Sequence, residues 1–140
     1  MGGKRHMSDS GKFFGILILV GYLLALLNYP IKWVNRQWIA KLPKDSSLQR
    51  NYRAVMKFIV QQHRFLALSA TVALIVHIII QVTFKWVSPS GVIAAALLVL
   101  NSSIGAYGFF VRKGKRAAWI YVHRTTAVLL GLAIVNHIFL

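Results

Sequence analysis

The chain contains no cysteine. That excludes disulfides, thiolate metal sites, iron–sulfur clusters and covalently attached c-type haem. Acidic residues are nearly missing as well: Asp9 and Asp45 are the two carboxylate side chains, and both fall outside the apolar stretches. Paired-carboxylate hydrolysis, di-iron carboxylate chemistry and acidic proton relays are excluded with them. Charge of any sign is scarce. Only 14% of residues are charged, where a soluble domain carries about a quarter.

What is present is apolar and basic. Hydrophobic residues make up 57% of the 140, and 17 Lys and Arg give a formal net charge of +15. Four apolar stretches, at about 13–29, 58–83, 92–111 and 117–140, approach or exceed the roughly 20 residues that cross a bilayer. The expected class is an all-α integral membrane four-helix bundle, a single domain over residues 1–140. Basic charge can mark nucleic-acid binding, but here it flanks apolar spans, so no nucleic-acid partner is expected.

Residues 1–12 are short, basic and rich in small residues; His6-Met7 reads as a joint just ahead of the natural start. The first span is expected to be retained, because no small-residue cleavage site follows it, and to end at Pro30. Over 31–42, Ile31, Val34, Trp38 and Leu42 recur at helical spacing among Lys32, Arg36 and Lys41. Trp33 and Trp38 favour the headgroup level, so this segment reads as an interfacial helix or a basic loop with two aromatic anchors. Trp86, Trp119 and Tyr121 read as further anchors. Ser88-Pro89-Ser90-Gly91 predicts a tight turn, and 112–116 a basic one.

Charge orients the spans. Lys4, Arg5, Lys12 and Lys85 lie on the side of the N-terminus, and the other thirteen basic residues lie on the opposite side. Cytoplasmic loops carry the excess of Lys and Arg. A bacterial cytoplasmic membrane with both termini outward is the expected setting.

Histidine carries the chemistry. His63 and His77 lie on the second span, His123 and His137 on the fourth, both pairs 14 residues apart. Fourteen steps of about 100° return to nearly the same helix face and rise about 21 Å. The third span reverses direction, so the second and fourth run parallel. His63 is then level with His123, and His77 with His137. Beyond the histidines the two spans share His-Arg-x-x-Ala and Ala-x-x-x-His, which puts Ala67, Ala73, Ala127 and Ala133 one turn inward from each imidazole. These small residues leave room for a flat, bulky group. Ala70 and Leu130 mark the midpoint between the levels.

Two imidazoles per level are too few for a bare zinc or copper ion. Haem brings four equatorial nitrogens and needs two axial ligands. The pattern therefore points to two haem b groups, their irons held by His63 with His123 and by His77 with His137. Arg64 and Arg124 are expected to pair with haem carboxylates on the basic side, or to reach the headgroups; Lys12 and Lys85 are the counterparts at the other level. Carbonyls one turn back, at Ala73 and Ala133, are expected to orient His77 and His137, with Asn136, Ser69 and Thr126 as further hydrogen-bonding groups. Asn101, Gly105 and Gly108 share a face of the third span suited to close helix packing.

The segments from His63-Arg64-Phe65-Leu66-Ala67-Leu68 to His77, and from Trp119-Ile120-Tyr121-Val122-His123-Arg124 to His137, resemble small b-type di-haem membrane cytochromes. The likeness is greatest to the haem-binding core of ferric-reductase-like and cytochrome b561-like domains and covers spans two to four. It implies bis-histidine haems that relay electrons between the membrane faces. Without a flavin or nicotinamide domain, donor and acceptor are expected to be separate, a quinone or a redox protein. The alternatives are a haem-bearing subunit of a larger respiratory complex and a haem-free helical anchor or small channel.

Overall fold

The computed structural model describes residues 2–84, 87–113 and 118–139, with the side chains of 2–9 and of 84 excepted. Lys85, Trp86, Lys115 and Arg116, and the side chains of Lys4, Arg5, His6 and Asp9, lie outside the described residues. The described chain is helical in the order α1 (Gly2–Leu26), α2 (Asn28–Gln37), a short 3-10 turn (Ile39–Lys41), α3 (Ser47–Phe84), α4 (Pro89–Phe110) and α5 (Ala118–Phe139). Four apolar stretches are long enough to cross a membrane: Ser10–Lys41, Ser47–Thr83, Pro89–Phe110 and Ala118–Phe139. Large apolar side chains such as Val82, Leu132 and Phe110 stand more than half exposed along them. In water such a surface would aggregate; in lipid it is solvated. The chain is a helical membrane bundle.

Several boundaries differ from expectation. The first span breaks at Leu27 rather than at Pro30. Pro30 has no N–H to bond the carbonyl one turn back, so the helix is interrupted ahead of it. Proline is tolerated in the first turn of a new helix, and α2 continues from Asn28. The tight turn expected at 88–91 is instead the start of α4. The Ser88 hydroxyl caps it by accepting from the Gly91 N–H at 3.1 Å, with Pro89 in the first helical position. That is the preferred chemistry of a helix N-terminus. At the far end Lys113 adopts φ 48° and turns the chain out of α4.

The connection between the first two spans is helical over Asn28–Gln37 and Ile39–Lys41 and packs against α3. Helix α3 is 38 residues long, about 57 Å at 1.5 Å per residue, so its first three turns rise beyond a hydrocarbon core of about 30 Å. Helix α2 and the 3-10 turn pack on that extension. Gln49, only 2% exposed, donates its side-chain amide to the carbonyls of Ile39 and Leu42, both at 3.0 Å. Tyr52 donates to the Ile31 carbonyl at 2.9 Å. Buried carbonyls at the end of a short helix need such partners.

Within the bundle α3 packs chiefly along α1, and α5 chiefly along α4. Between the two helix pairs lies one core of Ile18, Tyr22, Ala73, Leu74, Leu98 and Leu130. Its centre is at the predicted midpoint: Ala70 is 2% and Leu130 1% exposed. Two polar links tie the pairs together, Tyr22 to the Ala127 carbonyl at 2.8 Å and Thr71 to Ser102 at 2.9 Å.

Replacing Gln49 by Leu removes both amide donors from buried carbonyls. The expected loss is about 1–3 kcal/mol, read as a lower unfolding midpoint in detergent together with faster proteolysis within 38–46.

Candidate functional site

All four histidines are half-buried, and each is anchored through Nδ1 on a different element from its own. His63 Nδ1 lies 2.9 Å from the Ala25 carbonyl and His77 Nδ1 3.0 Å from that of Gly11, both on α1. His123 Nδ1 lies 3.1 Å from the Asn101 carbonyl on α4. His137 Nδ1 lies 3.2 Å from the hydroxyls of both Ser88 and Ser90. A carbonyl can only accept, so the proton sits on Nδ1 in the first three and the lone pair on Nε2.

The local sequence explains these partners. The break at Leu27 leaves Ala25 in the last turn of α1, where carbonyls lack a partner within the helix, and His63 fills that vacancy. Gly11 and Gly15 let α3 approach α1 beside His77. On α4 the absence of side chains is decisive at two positions. A Cβ on Gly105 would stand 3.3 Å from His123 Cε1, and one on Gly91 2.9 Å from His137 Cε1.

This corrects the orienting groups expected from sequence. His77 Nδ1 is bonded to Gly11 on α1 and His137 Nδ1 to the serines that open α4, so their acceptors come from a neighbouring helix and not from Ala73 and Ala133 on their own helices. Thr126 bonds the Val122 carbonyl in its own helix at 2.8 Å, while Asn136 and Ser69 are exposed. Trp119 is also more than an interfacial anchor. Its ring covers Gly108, and it stands 6.4 Å from the His123 ring at a 53° tilt.

His63 and His123 face each other with ring centroids 6.2 Å apart and planes at 89°. Two imidazoles bonded through Nε2 to one metal at about 2 Å each would have centroids about 6 Å apart. Among the described residues no group of three or more His, Cys, Asp or Glu is placed to hold a metal ion. Two facing imidazoles at this spacing are compatible with a group that brings its own equatorial ligands, such as haem. His77 and His137 stand 14 residues further along the same two helices, each tied to the flanking helix or its cap.

Of the alanines expected beside the imidazoles, Ala67, Ala127 and Ala133 are half-buried, while Ala73 is buried in the central core. Arg64 and Arg124 are exposed at the His63/His123 level. The Arg64 guanidinium lies 5.0 Å from the Phe65 ring and 4.9 Å from that of Phe109, and Arg124 lies 4.8 Å from Tyr29. Such cation–π contacts hold both guanidinium groups near this level.

Sequence reasoning missed Tyr22, Ala25, Gly11 and the two serines. A signal for part of this set was available: Gly11 and Ala25 on α1, and Gly91 and Gly105 on α4, repeat the 14-residue interval of the histidines. No protein-family model, curated protein or solved structure matches this chain.

Replacing Gly105 by Val is expected to push α4 from α5 and break the His123 bond to Asn101. Overpacking of this kind costs about 1–3 kcal/mol. Thermal unfolding followed by tryptophan fluorescence checks it, since Trp119 lies at the same seam.

Proposed function

We propose that this chain is a b-type membrane cytochrome that holds two haem b groups and carries electrons across the bilayer. One group is held by His63 and His123, the other by His77 and His137. The observation that carries the reading is the facing pair His63 and His123, 6.2 Å apart, each with Nδ1 committed to a carbonyl of a flanking helix. Haem held by these paired imidazoles would supply one-electron exchange.

The chain's own residues bind, orient and insulate. Nδ1–H donation fixes the tautomer and ring plane of each ligand and raises its basicity. The core at Ala70, Leu74, Leu98 and Leu130 excludes water between the two levels. Arg64 and Arg124, on their aromatic supports, are placed for carboxylates at the basic side. The excess of Lys and Arg at that side favours a cytoplasmic location for it.

One observation favours a second reading, a respiratory subunit that exchanges electrons with quinone. A half-open groove of about 360 Å³ runs along α3 beside Leu24 of α1, lined by Phe58, Ile59, Gln62, Phe65, Leu66 and Ser69. It is mostly apolar, with an amide and a hydroxyl to orient a ring, next to the His63 level. Reduction by a quinol analogue, lost in Gln62→Ala, supports that reading; indifference to quinol removes it.

Purified protein is expected to give a b-type reduced-minus-oxidised spectrum and two haems per chain in a pyridine haemochrome assay. Replacing His63 and His123 by Ala should remove one haem, and replacing all four histidines should remove both while helical circular dichroism persists. No b-type signal in the parent protein, or an unchanged signal in the fourfold variant, refutes the proposal.

A further inference from the structure

The four anchoring bonds are not equivalent. Three histidines donate Nδ1–H to main-chain carbonyls at 2.9, 3.0 and 3.1 Å. His137 meets hydroxyl oxygens instead, at 3.2 Å from both Ser88 and Ser90. The Ser88 oxygen is already engaged. It accepts the Gly91 N–H at 3.1 Å as the cap of α4 and the Ser90 hydroxyl at 3.3 Å. With Nε2 as ligand, the His137 Nδ1–H competes with two other donors for that oxygen. Both of its contacts are to hydroxyl oxygens and are the longest of the set at 3.2 Å, which makes this the weakest of the four anchors. Gly91 keeps this cluster close: a Cβ there would stand 2.9 Å from His137 Cε1 and 3.0 Å from Ser88 Oγ.

A strong acceptor on Nδ1–H makes the imidazole more basic. A more basic axial ligand stabilises ferric iron and lowers the reduction potential; a weaker acceptor leaves the potential higher. We propose that Ser88 and Ser90 are positioning residues that set the His77/His137 level above the His63/His123 level in reduction potential. The inference rests on the haem reading above and assigns the direction of downhill electron flow, from the basic side toward the end where α4 begins. Arg64 and Arg124 act in the opposite sense, since cations favour the reduced form at their own level. Both are exposed, where contact with solvent weakens their pull, whereas the Nδ1 partner acts through the ligand itself.

An optical redox titration of the purified holoprotein tests this. Two components are expected, and His137→Ala should abolish the higher and leave the lower. Ser88→Asn keeps a good helix cap and offers the imidazole a neutral carbonyl like the other three, so the higher component should fall. The double replacement Ser88→Ala with Ser90→Ala removes both acceptors, and the higher component should rise. The lower component should stay in place in both. Survival of the higher component in His137→Ala, or shifts confined to the lower component, overturns the inference while leaving the haem proposal standing. A parent protein without haem overturns both. A purely structural role for the serines would lower stability and stoichiometry without moving one potential in opposite directions.

Discussion

An imidazole N–H inside an apolar bundle must find an acceptor, and a transmembrane helix has few to spare. Its carbonyls are committed to their own i+4 N–H groups except near its ends or where a second lone pair is reachable. This chain meets the requirement by bringing a second helix against each histidine-bearing one. Helix α1 supplies Gly11 and Ala25 to α3, while α4 supplies Asn101 and its Ser88 cap to α5. The pairing of helices, the placement of small residues and the break ahead of Pro30 all serve that one need. Once Nδ1 is satisfied from outside, Nε2 carries the lone pair, and His63 and His123 face each other across the remaining space.

The two helix pairs are joined midway along the bundle. The core around Ala70 and Leu130 lies between the histidine levels, and Tyr22 reaches from α1 across to the Ala127 carbonyl on α5. That bond spans the seam between the pairs at mid-depth. Towards its N-terminus, α3 carries α2 and the 3-10 turn through Gln49 and Tyr52. Much of the basic charge thus stands on an ordered helical support.

Much of this was legible in the sequence because it follows from periodicity. Apolar length gave the four spans, and the 14-residue interval placed His63 with His77 and His123 with His137 on common faces. The equal spacing on parallel spans anticipated the facing of His63 and His123 and the midpoint at Ala70 and Leu130. Boundaries were less legible: α3 begins at Ser47 and not at 58, because a helix that leaves the membrane keeps its backbone bonds while losing the apolar signal.

Composition and spacing by themselves determined that the chain is a helical membrane bundle with four histidines at two depths, since both depend on the repeat of one helix and the thickness of a bilayer. Which atoms orient those histidines was decided only by tertiary structure. The partners are backbone carbonyls of Ala25, Gly11 and Asn101 and the hydroxyls of Ser88 and Ser90. Every residue carries a carbonyl, so sequence cannot single out the one that a neighbouring helix, its break or its cap will present to a given ring.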